Sequence, residues 1–389
     1  MQRHEGRLPA RGLVGDSPCR PRRSGTARGV LDLCVVTVLA VCLLATPALS
    51  SSAYVTVLLY HRFDENAFPT TTTGSAQFER QLAYLRDHGY SVISLDHLAR
   101  CVDKAAPFPE RAVVITIDDG FISEYERAVP ILKKYGYPFA IFVFTNGIGA
   151  RGYMNWDQLR SVASMGGIVG SHTKSHPRLM NMSDQAIEKE VMGSREILEK
   201  GLGRPVAYFA YPFGQYDERV RRIAHKAGFR LMLTSDPGSV GPGVERDLVP
   251  RQAVVGMGMS LKDFARKLEN PPLVVSGRDP GPGTLKGPTV PEVRLTIAEA
   301  HLYDPGQVNV FLSEKGRIPF SFDPSTGALV CTGPFHLTRK TNRILVSARR
   351  KSDGLFALHS YLIVLPGVWP DMRYTLLDRP TSALTGQDD

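Results

Sequence analysis

Residues 112–118, Ala-Val-Val-Ile-Thr-Ile-Asp, form an unbroken apolar and largely β-branched run. A strand without polar alternation has both faces covered, the situation of a parallel strand flanked by helices and not of a half-exposed hairpin. Similar segments recur at 55–60, 139–144, 206–210, 231–234 and 249–254, with shorter strands at 91–95 and 167–170. Helix-like stretches separate them. Ser75 is placed as the cap of a helix in which Phe78, Leu82 and Leu85 recur at i, i+4 and i+7 before Gly89 ends it. Residues 124–135 stop at Gly136, 156–165 follow, and 184–200 start after Ser183. Strand-then-helix repetition of this kind predicts parallel strands with outer helices, open or closed into a barrel.

The pattern changes after residue 270. Residues 271–289 are rich in Pro and Gly and read as a linker. Residues 290–370 hold short strand-like runs and a Ser352-Asp353-Gly354 turn signal, with no long helical period. This predicts a small all-β sandwich as an accessory domain. Residues 371–389 read as a tail. The expected architecture is therefore α/β: a barrel-type catalytic domain over 54–270, followed by the β-sandwich. The 43% apolar and 22% charged composition suits globular domains, not a disordered or multi-span membrane chain.

Residues 1–50 read as a signal peptide or signal anchor. An Arg-rich stretch precedes an apolar run from Val30 to Leu44, too short for an ordinary span, and then a small-residue segment. The expectation is an exported protein, whether periplasmic, secreted or associated with the membrane or cell envelope. Seven arginines against Glu5, Asp16 and Asp32 place four of the nine excess positive charges in this segment and leave five for the rest. So mild a charge suits an anionic cell surface or no particular partner, and no nucleic-acid-binding motif accompanies it. Cys101 and Cys331 are the cysteines beyond residue 50; they fall in different expected domains and form no disulfide framework.

Two strings carry chemistry. Thr116-Ile117-Asp118-Asp119-Gly120 puts adjacent carboxylates at the end of an apolar strand, and Ser171-His172-Thr173-Lys174-Ser175-His176-Pro177 puts two imidazoles four residues apart in a polar loop. Alone, paired Asp before Gly suits an ordinary turn, and two loop histidines suit solvent. Together, one carboxylate and two imidazoles make a three-ligand metal set with an open position, and the spare carboxylate can act as a base. Both strings follow strands, where α/β folds build their sites.

These strings resemble the first two motifs of the polysaccharide deacetylase family (NodB homology, carbohydrate esterase family four), and Phe209-Ala210-Tyr211-Pro212-Phe213-Gly214 is similar to the third. The resemblance implies an irregular (β/α) barrel that removes acetyl groups from N-acetylated sugar polymers. It implies a divalent metal, usually zinc with cobalt, nickel or iron as alternatives, on Asp119, His172 and His176. Asp118 becomes the base, and a backbone N–H near Phe213 faces the oxyanion. Departure of the amine needs an acid. Most of the family takes it from a Leu-x-Leu-x-His string late in the domain, which this chain lacks. Val57-Leu58-Leu59-Tyr60-His61 supplies the pattern at the start, as in the permuted poly-N-acetylglucosamine deacetylases of biofilm systems. His61 is then the acid, and Leu59 lines the acetyl-methyl pocket.

Ala210 stands where the family carries an Arg that pairs with the base. Arg251 is the proposed replacement, oriented by Asp236. Trp156 is either a sugar-stacking platform or an anchor for its own helix. The expected partner is an acetylated polysaccharide, most simply poly-N-acetylglucosamine-like. Peptidoglycan- or chitin-type deacetylation, O-acetyl esterase activity and non-catalytic glycan binding are the rival readings. Oligomeric state is not readable.

Overall fold

The computed structural model describes residues 53–367. The signal segment and the expected tail lie outside the described residues. Besides the short strand Ser91–Val92, which pairs in parallel with Ala112–Val113 off the main path, seven parallel strands carry the first half: β1 (Val55–Tyr60), β2 (Ala112–Asp119), β3 (Phe139–Val143), β4 (Ile168–Ser171), β5 (Tyr208–Ala210), β6 (Leu231–Leu233) and β7 (Gln252–Ala253). They pair in the order β7-β1-β2-β3-β4-β5-β6, and a parallel bridge between Leu233 and Val249 joins the two edges. The sheet is therefore curled into the expected irregular (β/α) barrel.

The continuous apolar runs are explained by two apolar layers. Val55, Val57, Ala112, Val114, Ala140, Phe142, Leu231 and Leu233 face inward. Leu58, Tyr60, Val113, Ile115, Ile117 and Ile141 face the outer helices. Helix α2 (Leu95–Val102) contributes Leu95, Leu98 and Ala99 to the inner cluster, beside the N-terminal halves of β1 and β2, and so fills that end of the barrel. The opposite end, where the strands finish, is left for polar residues.

The outer helices are α1 (Ser75–Asp87), α3 (Val129–Tyr135), α4 (Trp156–Ser164), α5 (Asp184–Leu202), α6 (Glu218–Lys226) and α7 (Leu261–Leu268). Asn155, Ser183, Asp217 and Ser260 cap α4 to α7 through their side chains. Ser75 does not cap α1. It is the first helical residue, and its N–H donates to Asp64 Oδ1 at 2.7 Å, so a neighbouring loop supplies the acceptor. The helix expected at 124–135 opens with a π-helical turn over Glu124–Ala128.

The second half is a sandwich. One sheet runs Val275–Asp279, Thr289–Ile297, Ala328–His336, Ser321–Phe322; the other runs Gly283–Thr284, Phe356–Val364, Thr341–Arg350, Tyr303–Leu312, Gly316–Arg317. Val293, Leu295, Leu329 and Cys331 of the first sheet share a core with Val310, Val346, Tyr361 and Ile363 of the second. The expected linker is corrected here: residues 275–279 and 283–284 are edge strands, one in each sheet, and Pro272 bridges to Leu358. Pro and Gly are tolerated at edges because an edge strand is hydrogen-bonded on one side only. Leu362 and Val364 point the other way and join the outer core of the barrel, so both halves form one compact unit. Cys101 and Cys331 are buried and free.

Candidate active site

The pleat of β2 turns Thr116 and Asp118 inward and Ile117 outward. It would point Asp119 away from Asp118. The backbone prevents this: Asp119 adopts φ 91° and Gly120 φ 78°, and the chain leaves the sheet there. Gly120 must be glycine, because a Cβ would lie 2.8 Å from Val143 Cγ1. Thr173 (φ 72°), His176 (φ 56°) and Phe213 (φ 60°) share the left-handed conformation. Four of the eight non-glycine residues of positive φ among the described residues thus gather at this one place. Such clustering of backbone strain is typical of functional sites.

The loop after β4 is tied down from two sides. The N–H groups of Lys174 and Ser175 both donate to Glu190 Oε2 on α5 at 2.9 Å, and Thr145 N–H and Asn146 N–H donate to the carbonyls of Thr173 and Lys174. This brings His172 Nε2 and His176 Nε2 within 3.5 and 3.4 Å of Asp119 Oδ1, and within 3.1 Å of each other. His172 Nδ1 lies 2.7 Å from the Ala210 carbonyl, which can only accept, so its proton is assigned to Nδ1 and Nε2 offers a lone pair to the cluster. Burial pushes both imidazoles down to about 4, against the pull of Asp118, so both are neutral at pH 7. Two neutral imidazoles and a carboxylate, with ligand atoms all within 4.8 Å, fit a divalent cation.

Asp118 lies at 2% exposure beside this cluster, with Oδ2 4.0 Å from His172 Nε2. Arg251 grips it: Nη1 donates to Oδ1 at 2.8 Å and Nη2 to Oδ2 at 2.7 Å. Burial alone would raise the carboxyl, but Arg251 and then His172 hold it down to about 2. Arg251 thus occupies the position proposed for it, reaching into the barrel from the segment that closes the sheet. The role proposed for Asp236 needs correction. Its carboxylate does not touch the guanidinium; it accepts from Tyr216 Oη at 2.7 Å and from Arg343 Nε at 2.6 Å. Only its backbone carbonyl meets Arg251, accepting the N–H at 3.0 Å.

His61 follows β1, whose register pairs Tyr60 with Ile117, so it is level with Asp118. Its Nδ1 is buried without a hydrogen-bond partner among the described residues, and the ring is near enough to act electrostatically on Asp118 and His176. Leu59 faces the barrel interior at 2% exposure, level with Thr116. The Phe213 ring packs edge-on to His176 at 4.6 Å under the Arg178 guanidinium. Trp156 lies elsewhere: its indole covers Gly201 on α5, where a Cβ would stand 2.1 Å from Cζ3. It anchors α4 and is absent from the walls of the open cleft, so the stacking-platform reading is corrected.

That cleft, of about 1040 Å³, runs from Asp119 and His176 past Phe144, Phe121 and Tyr153 to the 62–71 loop. Phe121 stacks on Tyr153 at 5.1 Å, and the Arg62 guanidinium is held between Phe121 and Phe68 at 3.5 and 3.9 Å. None of these residues was singled out from sequence, because isolated aromatics carry no local signal. Glu124 was missed as well. It is fully buried, its Oε1 accepts the Phe121 N–H at 2.8 Å, and burial followed by Asp119 and Asp118 holds its carboxyl well above the usual range. It sits in the π turn, five residues after Asp119, and that closeness in sequence to the Asp pair was the available clue.

The curled parallel barrel thus carries an Asp–His–His cluster and a gripped carboxylate together at its strand ends. Residues 105–232 match the family described as polysaccharide deacetylase. The chain is 27% identical over 183 residues to the putative polysaccharide deacetylase YxkH of Bacillus subtilis, a match covering 47% of this chain and 65% of that protein. It is 27% identical over 194 residues to a poly-beta-1,6-N-acetyl-D-glucosamine N-deacetylase of Staphylococcus aureus, covering 46% and 67%. The chain thus spans about two thirds of the length of these relatives. Its fold matches the Streptococcus pyogenes deacetylase PplD, solved in complex with acetate, with a TM-score of 0.53, 24% identity, and coverage of 56% of this chain and 99% of that one.

Proposed function

We propose that this protein hydrolyses the acetamido groups of an N-acetylhexosamine polysaccharide, poly-N-acetylglucosamine or a polymer like it, to acetate and free amines. The observation that carries the reading is the gripped, ionised Asp118 beside the Asp119–His172–His176 cluster at the head of an open cleft. The name of the Staphylococcus aureus relative supports the choice of polymer.

Asp119, His172 and His176 would hold the cation, for which zinc suits two neutral imidazoles and one carboxylate. When bound, it supplies Lewis acidity at the acetyl carbonyl and acidifies a water. Asp118 takes the proton of the attacking water. The Arg251 fork keeps this carboxylate ionised and fixed in direction, free to accept. Oxygen adds to the carbonyl carbon, and a backbone N–H near Phe213 would face the oxyanion. His61 then gives a proton to the nitrogen, the C–N bond breaks, and acetate and the amine leave. Leu59 closes the inner wall on the methyl side. Residues 1–50 support export to the envelope, periplasm or medium, tested by N-terminal sequencing of the mature protein.

The test is acetate release from N-acetylglucosamine oligomers of different linkage, from chitin and peptidoglycan fragments and from O-acetylated xylan, with zinc-loaded wild type and Asp118→Asn. Release from β-1,6-linked oligomers that disappears in Asp118→Asn is expected. Preference for an O-acetyl ester, or glycan binding without acetate release, refutes the reading.

A further inference from the structure

Arg251 depends on its neighbours for orientation. Besides the fork on Asp118, its Nε donates to the Thr234 carbonyl at 2.7 Å and its N–H to the Asp236 carbonyl at 3.0 Å. Both acceptors belong to the short segment after β6, residues 234–237. That segment also abuts the Phe213 loop, since a Cβ on Gly214 would stand 2.5 Å from Ser235 N.

The sandwich clamps this same segment at three points. Arg343 Nε donates to Asp236 Oδ1 at 2.6 Å. Ser360 Oγ donates to the Pro237 carbonyl at 2.7 Å. Tyr216 Oη accepts the Leu362 N–H at 3.1 Å and donates to Asp236 Oδ2 at 2.7 Å. Arg343, Ser360 and Leu362 lie on the adjacent strands Thr341–Arg350 and Phe356–Val364, which pair Arg343 with Leu362. Asp236 is 3% exposed, and of these partners only Arg343 carries a compensating charge.

We infer that Arg343 is a positioning residue for the deacetylation base: the β-sandwich fixes residues 234–237 through it, and these fix Arg251 on Asp118. The accessory domain is thereby part of the catalytic apparatus and not a detachable module. Losing Arg343 leaves a buried carboxylate with neutral donors alone, and the segment must shift to rehydrate it. Arg251 follows, because two of its hydrogen bonds end there.

The inference rests on the proposed function for the role of Asp118 as base and for its kinetic readout; the coupling of Arg343 to Arg251 does not. The test compares wild type, Arg343→Met, Arg343→Lys and Glu218→Ala in the full chain. Glu218 is the control: its carboxylate accepts the Thr284 N–H at 3.0 Å, a contact between the same two domains that does not touch residues 234–237. Arg343→Met should lower kcat about tenfold through misplacement of the base, with KM within about twofold. Arg343→Lys should recover part of the loss, and Glu218→Ala should keep wild-type kcat. Hydrogen exchange of the Arg251 Nε–H, followed by NMR, reads the same coupling without turnover: faster in Arg343→Met, unchanged in Glu218→Ala. Should Arg343→Met fail to fold, Arg343→Lys against wild type carries both readouts. Wild-type exchange and kcat in the Arg343 variants, or equal losses in Glu218→Ala, overturn the inference. No acetate release by wild type refutes the function instead and leaves the exchange measurement to decide.

Discussion

Arg251 and Asp118 form a bidentate pair with 1% and 2% residue exposure, and the cost of separating them can be worked from the structure. Holding the Asp118 carboxyl at about 2, instead of its ordinary 3.8, stabilises the folded protein at neutral pH by about 2 kcal/mol. The sign follows from the folded value being the lower one. The contribution is complete above the unfolded value and is lost as pH falls from about 4 towards 2. Arg251→Met removes the cation but keeps the bulk, and strands a carboxylate in the barrel. Breaking one side of a buried pair costs about 3–5 kcal/mol. Asp118→Asn strands the guanidinium and should cost a similar amount, whereas the double variant strands neither charge. The assay is urea unfolding at pH 7, with a chelator present so that cation binding does not contribute, on all four members of the cycle. A coupling energy of about 2–4 kcal/mol is expected. A coupling under about 1 kcal/mol, the range of exposed pairs, would refute the reasoning, since it would mean that water reaches the pair.

Other consequences can be checked separately. Because burial holds His172 and His176 near 4, zinc affinity measured by calorimetry should stay nearly level from pH 7 to 5 and fall as pH drops through about 4. Two ordinary imidazoles would already have lost about a thousandfold at pH 5, and that result would contradict the buried site. Gly214→Ala places a Cβ 2.5 Å from Ser235 N at φ 62°, so it should destabilise by about 2 kcal/mol, read as a lower urea midpoint, and slow acetate release; wild-type values for both would exclude the close approach. Trp156→Ala should cost about 3 kcal/mol of stability while leaving KM for soluble oligomers unchanged. A raised KM with an unchanged midpoint would restore the sugar-platform role.

Much of the fold was readable in advance. The run at 112–118 and its counterparts are apolar on both faces because helices cover one face and the barrel interior the other, and that double burial is written directly into composition. Strand ends were less legible. The all-β strands proved longer than their apolar cores, since half of each strand faces solvent and looks like loop. The 271–289 segment was misread for a related reason: an edge strand tolerates the Pro and Gly that elsewhere mark a linker.

The sequence alone determined the chemistry of the cluster. Asp118 and Asp119 are adjacent at a strand end, and His172 and His176 stand four apart in a loop, so each pair is carried by one short segment whose local geometry brings its members together. Arg251 could be nominated because some cation had to replace the one missing at position 210. Only the tertiary structure decided what surrounds these residues. It turned Asp119 towards Asp118 against the pleat, took Trp156 out of the cleft to cover Gly201, and gave the Asp236 carboxylate to Arg343, 107 positions along the chain. Those outcomes depend on which surfaces meet, within the barrel for Asp119 and Trp156 and where the sandwich docks on it for Asp236. No local pattern encodes such a meeting, because its energy belongs to contacts between segments that are strangers in sequence.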